Sequence, residues 1–114
     1  MAMNVLFAGV PVRDFSVSRD FYVRLFGRAP DVVAHELEVM WRVTDGGWLY
    51  IVEDPERAGR SLAALAVPDL QAALDDVASR GVLAGPIELQ GDDARKATIT
   101  DPDGNAVAFI QVGP

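Results

Sequence analysis

The sequence contains no cysteine among its 114 residues, which excludes disulfides, thiolate metal sites and cysteine nucleophiles together. Histidine is almost as scarce, because His35 is the only one. No apolar run approaches the roughly 20 residues that a transmembrane helix needs, and the amino terminus lacks the basic and apolar regions of a signal peptide. We therefore expect no membrane partner and a cytoplasmic location.

Basic residues are few and scattered. Ten Lys and Arg stand against 17 Asp and Glu, so the formal net charge is −7. Nucleic-acid phosphates repel such a chain, and we expect no nucleic-acid partner. Half of the residues are hydrophobic, which is ordinary globular composition. The length suits one domain with a real core, so we predict a single domain over residues 1–114.

The pattern of apolar residues predicts the same order of elements twice. A strand, a helix and three strands are followed by a polar, Pro- and Gly-containing segment, and then the order repeats. The strands are predicted at 5–12, 31–35, 38–43, 48–52, 62–67, 86–89, 95–100 and 106–112, and the helices start after Asp14 and at Asp69. These boundaries divide the chain into module one (1–53), a linker (54–61) and module two (62–114).

Short matching motifs support the repeat. Val12-Arg13-Asp14-Phe15 matches Val67-Pro68-Asp69-Leu70 at an offset of 55 (69 − 14), and Asp45-Gly46-Gly47 matches Asp103-Gly104-Asn105 at an offset of 58 (103 − 45). Asp14 or Ser16 can cap the first helix, and Gly27 suits its end. The run 101–104 (Asp-Pro-Asp-Gly) is typical of a type I turn between two antiparallel strands.

Three motifs stand out in this repeat: Val10-x-Val12-x-Asp14, Phe21-Tyr22-x-x-Leu25-Phe26-Gly27 and Asp101-Pro102-Asp103-Gly104-Asn105. On these motifs, the chain resembles the vicinal-oxygen-chelate superfamily, which includes glyoxalase I, bleomycin-resistance proteins and extradiol dioxygenases. The resemblance implies an α+β fold of two βαβββ modules, which form facing half-barrels around a cleft. In that family the cleft holds a ligand or a metal ion, and homodimers are common.

The resemblance also implies where a metal would bind. Family members use His, Gln or Glu on the first and last strands of each module, and the matching positions here are Phe7, Tyr50, Leu62 and Ala108. Three of these side chains have no ligand atom, and a protonated phenol is a poor ligand for a hard cation. His35 lies on a different strand and is expected at the surface. We expect no metal and no cofactor in the cleft.

Strand alternation then defines a predicted site. With the turns placed as above, Thr98 opposes Ala108 and Met40 opposes Tyr50, while Val39 and Trp41 face the helices. Aromatic residues of module one face small residues of module two, which leaves room for a small molecule. Arg42 is the only cation predicted in this cleft. The predicted ligand-binding residues are Phe7, Met40, Arg42, Trp48, Tyr50, Leu62, Thr98 and Ala108.

Several functions fit this pattern. The first is a metal-free protein that sequesters a planar apolar or amphipathic compound, such as an antibiotic, as bleomycin-resistance relatives do. The alternative is an enzyme of the same superfamily, a glyoxalase-like lyase or a dioxygenase with a non-metal or displaced site, for which Tyr50, Arg42, Glu38 or Glu53 would supply acid–base groups. No nucleophile–base pair is visible, so no catalytic residue is assigned.

Two further expectations concern packing. The cleft residues can instead fill the space between the modules as ordinary core, because large side chains against small ones also interdigitate. A homodimer is expected because four-stranded half-barrels leave open strand edges, which proteins tend to pair or cover.

Overall fold

The computed structural model describes residues 1–113, so Pro114, the last residue of the predicted module two, lies outside the described residues. Over these 113 residues the chain folds into eight strands and two helices in the predicted order, which confirms an α+β fold of two βαβββ modules. The elements are β1 (Leu6–Val12), α1 (Phe15–Phe26), β2 (Val32–His35), β3 (Glu38–Thr44), β4 (Gly47–Glu53), β5 (Leu62–Ala66), α2 (Leu70–Ser79), β6 (Glu88–Gln90), β7 (Ala94–Thr100) and β8 (Ala106–Val112).

The two modules have the same sheet topology. One sheet has the strand order β1-β4-β3-β2 and the other β5-β8-β7-β6. In each sheet the first strand pairs in parallel with the last strand of its module, and the remaining pairs are antiparallel. The predicted registers are confirmed: Met40 lies opposite Tyr50, and Thr98 lies opposite Ala108. The turns at 45–47 and 101–105 thus set which side chains share a face.

Each sheet buries one face against the helices. Val39 and Trp41 are almost fully buried on the helix side of the first sheet, as predicted. Both modules contribute to one hydrophobic core, which includes Val10, Val12, Tyr22, Leu49, Ile51, Leu70, Ile99, Val107 and Phe109. The other face of each sheet is turned away from the helices, and we call it the open face of that sheet.

Side-chain caps fix the start of each helix. The Asp14 carboxylate accepts a hydrogen bond from the Val17 N–H (3.2 Å), and Asp69 accepts one from the Ala72 N–H (3.0 Å). Asp14 is therefore the cap of α1, rather than the serine two residues later. Gly27 ends α1 with a φ of 72°, where a side chain would be strained. Neither helix within residues 1–113 is long and apolar enough to cross a membrane.

The turn at 101–105 joins the two modules. The Tyr22 hydroxyl of α1 donates a hydrogen bond to Asp101 (2.9 Å), and the Asn105 amide donates one to the Pro11 carbonyl of β1 (2.9 Å). The Asn105 side-chain oxygen also accepts hydrogen bonds from the backbone N–H groups of Gly59 and Ser61. The polar 54–61 segment is thus held against module two at its carboxyl-terminal end.

Candidate functional site

The open face of the first sheet carries an aromatic pair. The rings of Phe7 and Trp48 stack with their centroids 6.4 Å apart and an angle of 29° between their planes. With Val5, Val32 and Met40 they line a depression of about 270 Å³. Phe7 is 54% exposed, although it is a large apolar side chain. Such rings offer a broad flat surface on which a planar molecule can stack.

Tyr50 lies on the same open face, over the backbone of β1. A Cβ atom at Gly9 would lie only 2.5 Å from the Tyr50 hydroxyl oxygen, so the ring position depends on glycine at this point of the strand. Of the two tyrosines, Tyr22 has a hydrogen-bond partner within residues 1–113 and Tyr50 has none. The Tyr50 hydroxyl is therefore free to donate to, or accept from, a bound molecule.

The open face of the second sheet is lined mainly by small side chains. It forms a depression of about 370 Å³, whose lining includes Leu62, Ala64, Gln90, Lys96, Thr98, Ala106, Ala108 and Ile110. Leu62, at its edge, is 86% exposed. The predicted residues Leu62, Thr98 and Ala108 are therefore brought together here.

The two depressions are separate in the single chain. Phe7, Met40 and Trp48 line one, while Leu62 and Ala108 line the other, and each depression is lined by one sheet alone. The modules share a core through their helix-side faces, which leaves both open faces turned outward. Within one chain, the open-face residues are thus neither gathered in one cleft nor packed against each other as core.

Arg42 does not line either of these depressions. Its guanidinium group donates hydrogen bonds from Nε (3.1 Å) and Nη2 (2.6 Å) to the carbonyl oxygen of Asp45, beside the β3–β4 turn. The pairing of β3 with β4 is also irregular between Arg42 and Thr44. Arg42, predicted as the cleft cation, thus lies opposite Trp48 in the strand register, but within this chain its side chain is bound to its own turn.

Lys96 is a cation on the second open face that is not among the predicted site residues. It lies on β7, two residues before Thr98, and lines the depression of the second sheet. The signal was present in the sequence, because extending the alternation from Thr98 by two residues reaches Lys96 on the same face. Val5 and Val32 in the first depression, and Gln90 and Ile110 in the second, were also missed.

The carboxylates considered for acid–base chemistry have other partners. Glu53 accepts a hydrogen bond from the Phe15 N–H at the start of α1 (3.2 Å). Glu38 lies 3.6 Å from the imidazole of His35, which is exposed at the surface as expected. Neither glutamate lines the depressions described above.

The residues present do not fit the divalent metal of the metal-dependent relatives. The four implied positions hold Phe7, Tyr50, Leu62 and Ala108, and none offers a carboxylate, an amide oxygen or an imidazole. Within residues 1–113, no three His, Asp or Glu side chains lie close enough together to hold a metal ion. Protein sites for such ions need ligand atoms in suitable number and geometry, so no step of a mechanism can be assigned to a metal here.

Comparison with known proteins identifies the family. The model of the Glyoxalase/Bleomycin resistance protein/Dioxygenase superfamily matches residues 4–109. A search of curated proteins gave no significant match. A glyoxalase/bleomycin resistance protein from Catenulispora Acidiphila DSM 44928 is 43% identical, over 96% of this chain and 99% of that chain, with a TM-score of 0.90.

Two structures with known ligand classes are also similar. TnmS3, an antibiotic binding protein from Streptomyces sp. CB03234, is 26% identical over 98% of both chains, with a TM-score of 0.76. A bleomycin-binding protein complexed with bleomycin is 24% identical over 96% of this chain and 98% of that chain, with a TM-score of 0.77, a likeness that concerns the fold. On the match to the family model, the chain belongs to the Glyoxalase/Bleomycin resistance protein/Dioxygenase superfamily.

Proposed function

We propose that the protein binds and sequesters a planar apolar or amphipathic small molecule without a metal ion. The observation that carries this proposal is the exposed stack of Phe7 on Trp48 in an almost entirely apolar depression. Leaving such rings in water is unfavourable, and burying one large side chain stabilises by about 1.5–3 kcal/mol. A flat ligand would recover part of that free energy by covering both rings.

The similar proteins support an antibiotic as the class of ligand. TnmS3 is an antibiotic binding protein, and the bleomycin-binding protein was crystallised with bleomycin. The absence of suitable donor atoms at Phe7, Tyr50, Leu62 and Ala108 supports binding without a metal. In this proposal no bond in the ligand is broken, so the protein would release the compound unchanged.

The site would be completed by a second copy of the chain. In the proposed homodimer, the aromatic open face of one copy lies against the small-residue open face of its partner. Support comes from the exposure of large apolar residues on and beside both faces, since contiguous apolar patches mark interaction surfaces. The exposed fractions are 71% for Leu6, 54% for Phe7, 66% for Val33 and 86% for Leu62.

The dimer can be tested by mixing two defective chains. Trp48→Ala removes half of the aromatic pair, and Ala108→Trp fills the small-residue depression. Neither variant should bind ligand by itself, but a hybrid dimer, formed by refolding the two together, would contain one site with both native faces. About half of the mixed dimers should be hybrids, so partial binding should return. No recovery, or a single species near the chain mass of 12.3 kDa in sedimentation velocity, would contradict the shared site.

Ligand binding itself can be tested by thermal shift with a set of planar natural products. A compound that binds only the folded state at 100 times its Kd adds about 2.7 kcal/mol to stability and raises the melting temperature. Ala108→Trp should abolish the shift and keep the fold. Ala78→Trp is the matched control, because Ala78 is exposed on α2, away from both open faces. Unchanged binding to Ala108→Trp would place the ligand elsewhere.

A second candidate function is an enzyme with a metal-free or displaced site. The observation in its favour is the Tyr50 hydroxyl, which lies over Gly9 with no hydrogen-bond partner within residues 1–113. A positioned phenol can act as a general acid or base. Recovery of the ligand after incubation distinguishes the two functions: an altered compound, with turnover lost in Tyr50→Phe, would favour the enzyme.

A further inference from the structure

We propose that the ligand carries an anionic oxygen group, a carboxylate or phenolate, which binds to Lys96 and Thr98 on the open face of the second sheet. This inference rests on the proposed binding function and names the chemistry that the second face recognises. The first face, with Phe7 and Trp48, would select for a flat ring, and the second for a negative charge at one edge of the molecule.

Lys96 is unusual in this chain. It is the only lysine, and all other basic side chains are arginines. Its side chain is half-buried and lines the depression among small apolar residues. None of the ion pairs formed within residues 1–113 includes Lys96. A positive charge held in a mostly apolar depression without a partner favours an anion more strongly than the same charge in open water, because the local dielectric constant is lower.

Glu88 is the acidic residue that pairs with Lys96 across the strands and could neutralise it. The two residues are directly paired across β6 and β7, so both side chains lie on the open face. Glu88 is exposed, however, and its carboxylate is not within the 4.0 Å that defines an ion pair. Glu88 is also absent from the lining of the depression. The Lys96 ammonium group therefore remains available to a ligand.

Thr98 supplies a second donor beside Lys96. Residues two apart on a strand are about 6.6 Å apart and share a face, and the long lysine side chain can reach an oxygen atom that also contacts the threonine hydroxyl. Ala106 and Ala108, on the neighbouring strand, leave space above them. An ammonium and a hydroxyl on an apolar floor are suited to one carboxylate or phenolate, since hydrogen bonds to charged groups are roughly twice as strong as neutral ones.

The net charge of the chain opposes the proposed preference for an anionic ligand. The chain carries −7, so its field as a whole disfavours anions. A preference for an anionic ligand must then arise locally, at Lys96. A cationic analogue of the same shape would be repelled by this ammonium and would lose hydration without gaining a partner.

The test compares two planar probes of nearly equal shape, 2-naphthoate and 2-naphthamide, by titration calorimetry at constant pH and salt. The native protein should bind the carboxylate about five- to tenfold more tightly than the amide, as expected for one partly buried charge-assisted hydrogen bond. Lys96→Met should remove this preference and keep amide binding, while Lys96→Arg should keep most of it. Arg19→Met is the control, because it removes the same charge from the exposed side of α1.

A second measurement locates the anion. Reductive methylation with ¹³C-formaldehyde labels only Lys96 and the amino terminus, and it preserves the charge of both amines. Addition of 2-naphthoate should shift the Lys96 dimethylamino signal in the NMR spectrum, and 2-naphthamide should shift it much less.

The outcomes separate this inference from the function on which it rests. Equal affinity for both probes in the native protein, or a carboxylate preference that survives Lys96→Met, would overturn the role of Lys96 and leave the binding function standing. If neither probe binds at millimolar concentration, the planar-ligand function itself fails, and the inference fails with it.

Discussion

Replacing Tyr22 by Phe tests one of the contacts that join the two modules. Tyr22 is completely buried, and its hydroxyl donates a hydrogen bond of 2.9 Å to Asp101, which is only 4% exposed. A hydrogen bond to a charged group contributes about 1.5–3 kcal/mol. The substitution keeps the ring, which packs 6.2 Å from Trp41 and 6.1 Å from Phe26, so little cavity cost is added.

The remaining partners of Asp101 set the expected size of the effect. The same carboxylate oxygen also accepts a hydrogen bond from the Asn105 amide, and the other oxygen accepts from the backbone N–H groups of Asp103 and Asn105. Tyr22→Phe therefore leaves the buried carboxylate with three donors. We expect a loss of about 2 kcal/mol in the free energy of unfolding at pH 7, below the upper end of the range for such bonds.

The loss of stability caused by Tyr22→Phe should also depend on pH. Burial, and then the negative charge of Asp101, raise the pKa of Tyr22 far above its ordinary value of 10.0. The unfolded chain loses this proton near pH 10 and the folded chain keeps it. The contribution of Tyr22 is therefore fully present below pH 10 and is lost as pH rises toward the higher folded-state pKa. By pH 11 the stability difference between the native protein and Tyr22→Phe should narrow by about 1.4 kcal/mol.

Urea unfolding followed by far-ultraviolet circular dichroism measures the free energy of unfolding at pH 7 and its change with pH. Protein concentration must be fixed, because a dimer would make stability concentration-dependent. Tyr50→Phe is the control at pH 7: it removes a hydroxyl that has no hydrogen-bond partner within residues 1–113 and should change stability by less than about 0.5 kcal/mol. A Tyr22→Phe effect as small as the control, or a stability difference that stays constant from pH 8 to pH 11, would refute the reasoning.

Three further predictions follow from single contacts. Gln111→Leu should lower the free energy of unfolding by about 2 kcal/mol in urea titrations, because the buried Leu70 N–H loses its acceptor at 2.7 Å. Hydrogen bonds from an arginine side chain and a backbone N–H lower the pKa of Asp31 below 3.8, so Asp31→Asn should reduce the melting temperature at pH 6 and lose this effect as pH falls below 3.8. Gly9→Ala should displace the Tyr50 ring, which a Cβ would approach to 2.5 Å; we expect altered near-ultraviolet dichroism and weaker planar-ligand binding with unchanged far-ultraviolet dichroism.

Each of these has an outcome that would contradict it. For Gln111, the matched variant is Glu53→Leu, which removes the acceptor at the start of α1 from a less buried position and should cost less; an equal loss would show that burial of the N–H does not decide the cost. For Asp31, the same melting difference at pH 3 and pH 6 would exclude its carboxylate as the cause. For Gly9, unchanged near-ultraviolet dichroism would show that the ring can accommodate a methyl group.

Most of the fold was predictable because its signals are local. Alternation along the strands placed Trp41 toward the helices, and the two turns fixed the register that sets Met40 opposite Tyr50. Aspartates at the helix starts are caps whatever the rest of the chain does. The arrangement of the modules was not predictable in the same way, because it depends on tertiary contacts. The pattern of the turn containing Asp101 and Asn105 indicates only a hairpin, and spacing does not reveal its bonds to Tyr22 and β1.

For the candidate site, the sequence predicted the sheet face of each residue, because alternation along a strand is local. Sheet face is a property of the strand, so Phe7 and Ala108 lie on the open faces as expected. Arg42 shares the predicted register with Trp48, but a long side chain can turn toward any acceptor within reach, and the Asp45 carbonyl is close. The predicted site residues on β7 end at Thr98, and Lys96 lies two residues further from the turn on the same face.

Each of the two modules forms an equivalent hydrogen bond on its helix-side face. Near the end of the last strand of each module, a side chain accepts a hydrogen bond from the first N–H of its helix: Glu53 accepts from Phe15, and Gln111 accepts from Leu70. The acceptors differ by 58 residues (111 − 53) and the donors by 55 (70 − 15), the offsets that relate the two halves of the sequence. An unsatisfied N–H at a buried helix start is costly, so each module meets the same physical requirement with an equivalent residue.

The open faces do not have to supply an acceptor for a helix N–H, and the residues of the two modules differ on these faces. Trp48 and Tyr50 of β4 correspond, at the offset of 58, to Ala106 and Ala108 of β8. Packing within the chain does not demand this difference, since both faces are turned away from the core. In the proposed dimer, a ligand between a face of rings and a face of small side chains would meet a broad apolar surface on one side and space beside Lys96 on the other. Such an asymmetric site would favour a flat molecule that is apolar across its rings and charged at one edge.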